Sequence, residues 1–381
     1  MQEIYLDNAA TTRPLDSIRE LLDSYLAEGW HNPSALYAPA VHDSRRLEDA
    51  RAVIKNSFGQ GSFEVFFTGS GTEGDATVLL GGAKKRKSMH YISSEAEHAA
   101  VYQSMMRLKS MGHEVTFIRP DRHGAVRPED VASEVREDTV LVSIMHVNNQ
   151  TGAVSDIAAI AREVKNKNKN TLFHSDGVQA FLRERVSDTS NIDYYTVSAH
   201  KIHGLKGAGA LFYKKGTPLQ PLIPGGGQEK GLRSGTENTF GIAAFAQAVR
   251  YFLENAAEIS ARLRELKETF LSEIAELPGV EILSPEGGAS HIVCLSLEGV
   301  RGEVLLHALE ENRIYISTGS ACTSKKGVGR AATALGLNRT EAEGVIRVSF
   351  SPFNTPGEAA SAAQAIIQKS VELRRFIRMR S

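Results

Sequence analysis

Short apolar runs alternate with helical patterns through more than half of the chain, and this alternation constrains the fold more than any other feature. Between several of the runs, apolar residues recur at helical spacing, as in residues 157–164. Because strands that alternate with helices form a mostly parallel sheet covered on both faces, we predict an α/β fold. The predicted strands lie at residues 64–68, 90–92, 115–118, 140–145, 171–173, 194–197 and 210–213.

The pattern changes near residue 250, where a smaller α+β unit is predicted. Apolar residues at helical spacing from Ile259 to Ile274 indicate a long helix that ends at Pro278 and Gly279. Because 381 residues exceed what one core usually holds, we expect two domains. The large domain would span residues 13–255, and the small domain would combine residues 1–12 with residues 256–381.

Charge and composition exclude several classes of protein. Lys and Arg total 44 against 45 Asp and Glu, so the net charge is −1 and no direct binding to nucleic acid is expected. No apolar run approaches the roughly 18 residues of a membrane span, and the first residues lack a signal-peptide pattern. Two cysteines form no disulfide framework, so we expect a protein of the reducing cytoplasm, away from membranes.

Two polar residues at the ends of predicted strands suggest a cofactor site. Lys201 follows one strand, and an amine there becomes nucleophilic when burial or nearby cations lower its pKa. Asp176 ends the preceding strand, and a buried carboxylate needs a partner such as the pyridinium nitrogen of pyridoxal phosphate (PLP). Both would lie at the carboxyl ends of strands, where open α/β sheets bind ligands. The alternatives are an ordinary surface lysine and an aspartate that caps a helix.

Two glycine-rich segments are candidates for binding an anion. Residues 69–73 (GSGTE) precede a predicted helix, whose N-terminus and backbone N–H groups favour a phosphate. Residues 225–236 interleave glycine with Arg, Ser and Thr, which suggests a second anion contact. The alternatives are a common turn for the first segment and a flexible loop for the second.

One of the two cysteines is a candidate nucleophile. Cys322 has small, polar neighbours, and the cations Lys325, Lys326 and Arg330 would stabilise its thiolate. Cys294 lies in an apolar, strand-like run, where a cysteine acts as a small buried hydrophobe.

Taken together, the motifs resemble those of the NifS/IscS-type cysteine desulfurases, from residue 4 to about residue 355. The matching segments, in order, are residues 5–12, 32–34, 97–98 and 147–149, the pair Asp176 and Gln179, and residues 200–201, 225–236 and 320–324. Any one of these motifs is weak, but the ordered set is specific. These enzymes belong to the class V aminotransferase group of PLP-dependent fold type I. The resemblance therefore implies a mostly parallel seven-stranded sheet between helices, a smaller α+β domain, and PLP as cofactor.

The resemblance also implies catalytic and substrate-binding residues. Lys201 would hold PLP as a Schiff base and carry the proton at Cα of the substrate, and the Cys322 thiolate would attack the substrate sulfur. His98 would stack on the ring and act in proton transfer, although a helix-capping or core role is the alternative for it. The substrate carboxylate would bind Arg347, and Asn149 and Asn32 would assist. No metal site is assigned.

The remaining implied contacts concern the cofactor and a second subunit. Asp176 would bind the pyridinium nitrogen, and Gln179 and Asn149 would lie at the ring oxygen. Thr236 would reach the phosphate in the other subunit, which implies a homodimer with shared active sites. The implied phosphate ligands within the subunit are Gly71, Thr72, Ser198 and His200.

The implied reaction converts L-cysteine to L-alanine and leaves a persulfide on Cys322. An acceptor protein would take the sulfur for iron–sulfur cluster assembly or for thiolation of tRNA or cofactors. Three alternatives stay open: a class V aminotransferase on another amino acid, a selenocysteine lyase, and a sulfur-relay scaffold with little turnover. The sequence departs from the family pattern at Gly71, at Gly74–Asp75, at Gln150–Thr151 and at residues 351–353, which leaves the subfamily and the acceptor open.

Overall fold

A computed structural model describes residues 3–81, 88–318 and 329–378. Cys322 and its neighbouring motif lie outside the described residues. The strands are β1 (Ile4–Tyr5), β2 (Phe63–Thr68), β3 (His90–Ser94), β4 (Glu114–Ile118), β5 (Thr139–Ser143), β6 (Leu172–Asp176), β7 (Tyr194–Ser198), β8 (Gly209–Lys214), β9 (Val280–Ile282), β10 (Ile292–Leu297), β11 (Ile314–Tyr315) and β12 (Val345–Ser349). The helices are α1 (Ser17–Glu28), α2 (Ala38–Asn56), α3 (Gly71–Leu80), α4 (Ala99–Ser110), α5 (Pro128–Ser133), α6 (Ile157–Lys167), α7 (Thr239–Glu254), α8 (Ala256–Ile274), α9 (Gly302–Glu310), α10 (Arg330–Ala334), α11 (Arg339–Glu343) and α12 (Pro356–Arg378).

The central sheet of the described chain has seven strands in the order β2-β8-β7-β6-β5-β3-β4. Only β8 runs antiparallel to its neighbours β2 and β7, and the pairs between β7 and β4 are parallel. This sheet confirms the predicted α/β class and the predicted mostly parallel arrangement.

Alternate residues of the strands pack on opposite faces of this sheet. On β2, Val65 and Phe67 belong to one apolar cluster and Phe66 to another. The first cluster includes Phe245 of α7, and the second includes Met105 of α4. Helices therefore cover both faces, as the alternation in the sequence predicts.

The C-terminal part forms two smaller sheets. Strands β12, β10 and β9 pair antiparallel in that order, while β1 pairs in parallel with β11. Sequence analysis missed β12 because Arg347 interrupts its apolar run, VIRVS. The largest apolar cluster joins Phe245 of the central part to Val293 and Phe350 of the C-terminal part. The division at residues 255 and 256 stays a prediction.

No helix in the described ranges combines the length and the apolar character that crossing a membrane requires.

Candidate active site

A cavity of about 390 Å³ lies beyond the carboxyl ends of β6 and β7. Neighbouring parallel strands end together here, so their terminal residues come close, as the sequence predicts. The predicted site residues on its wall are Gly71, Thr72, His98, Asn149, Asp176, Gln179, Ser198, His200, Lys201 and Arg347.

Lys201 enters the cavity from the short 3-10 turn that follows β7. Its Nζ donates to the carbonyl oxygens of Ala9 at 2.6 Å and Ala10 at 2.7 Å. Burial, with smaller contributions from the cations Arg347 and Arg183, lowers the pKa of Lys201 to about 8. A larger fraction of this amine is therefore neutral near neutral pH than for an ordinary lysine, and the neutral amine is the nucleophile.

Asp176 is the last residue of β6, and it is almost fully buried. Its Oδ1 accepts a hydrogen bond from the Val178 N–H at 2.9 Å. Burial raises the pKa of Asp176, while His98 and Lys201 oppose this shift. A bound cation would stabilise this carboxylate, which suits the predicted contact with a pyridinium nitrogen.

A second carboxylate, Asp75, lines the same cavity and was not predicted as a site residue. It is 1% exposed, and its Oδ1 lies 3.5 Å from Nε2 of His174. Burial and the nearby Asp176 raise the pKa of Asp75 well above its ordinary value. The sequence contained a signal for it, since Asp75 lies one helical turn after Gly71 of the glycine-rich turn.

The glycine-rich turn at residues 69–73 leads directly into α3. Ser70 caps this helix, because its Oγ accepts from the Glu73 N–H at 3.2 Å. The N–H groups of the first helical turn have no partner within the helix and face an incoming anion. A Cβ on Gly71 would lie 2.6 Å from Cγ2 of Val178, so glycine keeps this cradle open. Glu73 also binds Arg233 of the second glycine-rich segment, with 2.9 Å between Oε1 and Nε.

His98 caps a helix and also lies on the cavity wall, while its predicted stacking and proton-transfer role stays a prediction. Its Nδ1 caps α4 by accepting from the Ala100 N–H at 3.2 Å, and the residue also lines the cavity. The neighbouring Glu97 is 1% exposed, and its Oε1 accepts from the Met145 N–H at 2.9 Å. This bond connects the turn before His98 to the segment that follows β5.

Arg347 projects from β12 to the cavity, and its guanidinium already has two partners. Nη2 lies 2.7 Å from Oδ1 of Asp7, and Nη1 donates to the Asn149 carbonyl at 2.8 Å. Its Nε is buried without a hydrogen-bond partner among the described residues. An incoming carboxylate would therefore share or displace Asp7, a contact that sequence analysis did not assign.

Three predicted residues are not placed in this cavity. Asn32 is exposed, and its Oδ1 accepts from the Ser34 N–H at 3.0 Å. Thr236 is exposed and lies outside the cavity wall of its own chain. Cys322 lies outside the described residues.

The cavity suits PLP by three independent features. The α3 N-terminus with Gly71 provides a phosphate cradle, Asp176 is buried and forms no salt bridge with any described residue, and Lys201 has a lowered pKa. In addition, Oε1 of Gln179 is buried without a partner in the described part of the chain, so it can accept a hydrogen bond from a ring hydroxyl, while its Nε2 donates to the Ala9 carbonyl at 2.8 Å. These groups match the phosphate, ring and aldehyde of the cofactor.

Comparisons with known proteins point to one family. The family described as Aminotransferase class-V matches residues 4–360. A "NifS/IcsS protein homolog" from Lactobacillus delbrueckii subsp. bulgaricus is 41% identical over 365 residues, which cover 93% of this chain and 94% of the relative. A "Cysteine desulfurase IscS" from Clostridium botulinum is 34% identical and covers 98% of this chain and 96% of its own length.

Solved structures agree with the sequence relatives. A "NIFS-LIKE PROTEIN" superposes with a TM-score of 0.89 at 33% identity, covering 97% of this chain and 99% of that chain. A structure titled "SspA in complex with cysteine" superposes with a TM-score of 0.81 at 29% identity, covering 93% of this chain and all of the other.

Proposed function

The chain belongs to the aminotransferase class V family, and from this premise we propose that it is a PLP-dependent cysteine desulfurase. The proposal assigns L-cysteine as substrate and L-alanine as product, with sulfur transferred to Cys322. It rests on the cavity that unites Lys201, Asp176 and the α3 phosphate cradle in a fold similar to that of NifS-like proteins. That a structural neighbour carries cysteine supports the choice of substrate.

Specific residues would hold the cofactor and the substrate. Asp176 would bind the pyridinium nitrogen, Lys201 the aldehyde carbon, and Gln179 and Asn149 the region of the ring oxygen. Gly71, Thr72, Ser198 and His200 would bind the phosphate. When bound, PLP withdraws electrons from Cα of an amino acid. Arg347 would orient the substrate by pairing with its carboxylate in a bidentate fork.

The chain's own groups then move protons and sulfur. Lys201, once released beside the substrate, takes the proton from Cα, because its lowered pKa keeps a neutral amine available. The Cys322 thiolate attacks the sulfur of L-cysteine, so that an S–S bond forms while the Cβ–S bond breaks. Protons return to the carbon skeleton, and L-alanine leaves. Atoms balance without an external oxidant, because L-cysteine and one thiol give L-alanine and one persulfide.

The persulfide on Cys322 would pass to an acceptor protein. Iron–sulfur cluster assembly and thiolation of tRNA or cofactors are the uses that fit this chemistry. Thr236, exposed and outside its own cavity, is available to contribute to the site of a second subunit in a homodimer.

The decisive experiment compares wild type with Cys322→Ala, both loaded with PLP and given L-cysteine and a reductant. We expect wild type to release alanine and to carry a persulfide, and the variant to release alanine at least about a hundredfold more slowly, because it has no sulfur acceptor. Cys294→Ala is the matched control, since this thiol is buried and burial raises its pKa to about 12.

Equal alanine release by wild type and Cys322→Ala would show that another lyase or aminotransferase route operates. Absence of alanine from all three proteins would overturn the proposal of desulfurase turnover and favour the relay scaffold.

A further inference from the structure

Arg330, the first residue of α10, is bound to the turn that precedes His98. Its Nη1 donates to the Glu95 carbonyl, and its Nη2 donates to the Glu97 carbonyl at 2.6 Å. The guanidinium also lies over the ring of Tyr102, with 4.2 Å between Cζ and the ring centroid. The sequence predicts that Arg330 helps to stabilise the Cys322 thiolate, and this stays a prediction because Cys322 lies outside the described residues; within them, the donors of Arg330 bind main-chain oxygens.

The bound turn carries a functional side chain at its end. Residues 95–97 connect β3 to α4, and His98 follows directly as the helix cap. The Glu97 side chain holds the turn from the other side, through the Met145 N–H. Tyr102 lies one helical turn after His98 on α4, so Arg330 contacts the chain on both sides of His98.

A cavity beside His98 leaves room for this turn to move if no contact restrains it. This second cavity, of about 130 Å³, lies between Arg330 and His98, and it is also lined by Asn149 and Leu335. His98 and Asn149 line both this cavity and the candidate active site. Because no described side chain fills this space, the hydrogen bonds from Arg330 restrain the turn where contacts among the described side chains do not.

The geometry requires arginine rather than any cation. Two carbonyl oxygens two residues apart are bound by the two ends of one planar guanidinium, whose face also stacks on Tyr102. An ammonium group is a compact donor without a plane, so a lysine would keep the charge and lose this geometry.

We propose that Arg330 is a positioning residue, which holds His98 at the cofactor cavity by binding the carbonyl oxygens of Glu95 and Glu97. This role rests on the proposed function, since it concerns His98 at the PLP ring. It assigns Arg330 no contact with substrate or cofactor.

The first test measures amide hydrogen exchange in the full chain, with and without PLP. In Arg330→Gln, we expect exchange at residues 98–104 to become about tenfold faster, because the restraint on the start of α4 is lost. Exchange in α7 should not change. Arg339→Gln is the matched control, because Arg339 begins the next helix, is exposed, and pairs with Glu343 at 2.9 Å.

The second test measures turnover of L-cysteine. Arg330→Gln should lower kcat about tenfold and leave KM within about twofold, since a displaced catalytic group affects the transition state more than binding. Arg330→Lys should recover only part of the loss. The double variant His98→Ala/Arg330→Gln should be no slower than His98→Ala alone, because Arg330 acts through His98.

Unchanged exchange at residues 98–104 in Arg330→Gln, or additive losses in the double variant, would overturn the positioning role. If wild type releases no alanine, the proposed function fails, yet the exchange comparison still decides whether Arg330 restrains the His98 turn.

Discussion

At the scale of one residue, the surroundings of Lys201 lower the pKa of its amine. Its amine is largely buried, and the cations Arg347 and Arg183 lie close enough to disfavour its charge. The carboxylates Asp176 and Asp7 act in the opposite direction but do not cancel the shift. An exposed lysine has a pKa near 10.4, so the fold increases the neutral fraction of this amine between about pH 8 and 10.4.

We predict that the PLP-free protein captures PLP covalently with a midpoint near pH 8. Because the neutral amine reacts, the capture rate should rise as pH increases through about 8 and reach a plateau above it. Stopped-flow absorbance of PLP between pH 6 and 10.5 measures this profile. Arg347→Gln removes a nearby cation, so its midpoint should lie at higher pH.

A midpoint near 10.4 in wild type would contradict the environment assigned to Lys201. The lowered pKa of Lys201 also makes the stability of the PLP-free protein depend on pH. The unfolded chain keeps the proton on this lysine up to a higher pH than the folded chain does, so this group's contribution to the free energy of unfolding rises between about pH 8 and 10.5.

At the scale of elements, one buried ion pair anchors the second glycine-rich segment. Glu229, with a side chain that is 2% exposed, lies in this segment, and Arg51 lies on α2. The pair is bidentate, with distances of 2.7 and 2.8 Å, and Glu229 also accepts from the Phe67 N–H of β2 at 3.0 Å. The segment is therefore fixed to both a helix and the sheet, although its glycines suggested a flexible loop as an alternative.

Arg51→Ala should destabilise the protein by about 3–5 kcal/mol, because it leaves the Glu229 carboxylate buried without its partner. Chemical denaturation, followed by circular dichroism, measures the change in free energy of unfolding. The control is Arg45→Ala, an exposed arginine on the same helix, for which we expect a change within about 0.5 kcal/mol.

If Arg51→Ala lowered the free energy of unfolding as little as Arg45→Ala does, Glu229 would have to be solvated or paired elsewhere. The double variant Arg51→Met/Glu229→Gln removes both charges, so it should be less destabilised than Arg51→Ala alone.

For the whole molecule, the open question is whether two chains share their sites. The cavity holds most of the predicted residues within one chain, but Thr236 is exposed and outside it. A site completed by a second copy explains why this residue matches the family motif without lining its own cavity. The homodimer follows from the resemblance and stays a proposal.

Mixing two inactive variants tests the shared site. Lys201→Ala removes the amine, and Thr236→Asp places a negative charge against the phosphate of whichever site Thr236 serves. If Thr236 serves the other subunit, each mixed dimer has one intact site, and a random mixture should recover about a quarter of wild-type activity. Alanine release, assayed after the two variants are refolded together, measures the recovered activity. No recovery, with mixed dimers verified by mass, would place Thr236 at its own chain's site.

The sequence by itself predicted the layers of this protein. Residues 65–67 of β2 form a continuous apolar run, which predicts a strand buried on both faces, and the structure packs alternate residues of this run into two clusters on opposite faces. The carboxyl ends of β6 and β7 were expected to meet because adjacent parallel strands end on one edge, so Asp176 and Lys201 could be placed together. The local apolar pattern and the direction of the chain are therefore enough to predict the layers and the edge of the sheet where the site lies.

Only the tertiary structure decided which distant groups meet. Arg347 pairs with Asp7, Arg51 with Glu229, and Arg330 with the carbonyl oxygens of Glu95 and Glu97. None of these pairs leaves a periodic signal, because each joins segments that lie far apart in the chain. Their contact depends on the order of the strands and on how the C-terminal part packs against the sheet. The sequence therefore determined the fold class and the candidate chemistry, whereas packing between remote segments determined the electrostatics and the positioning of the site.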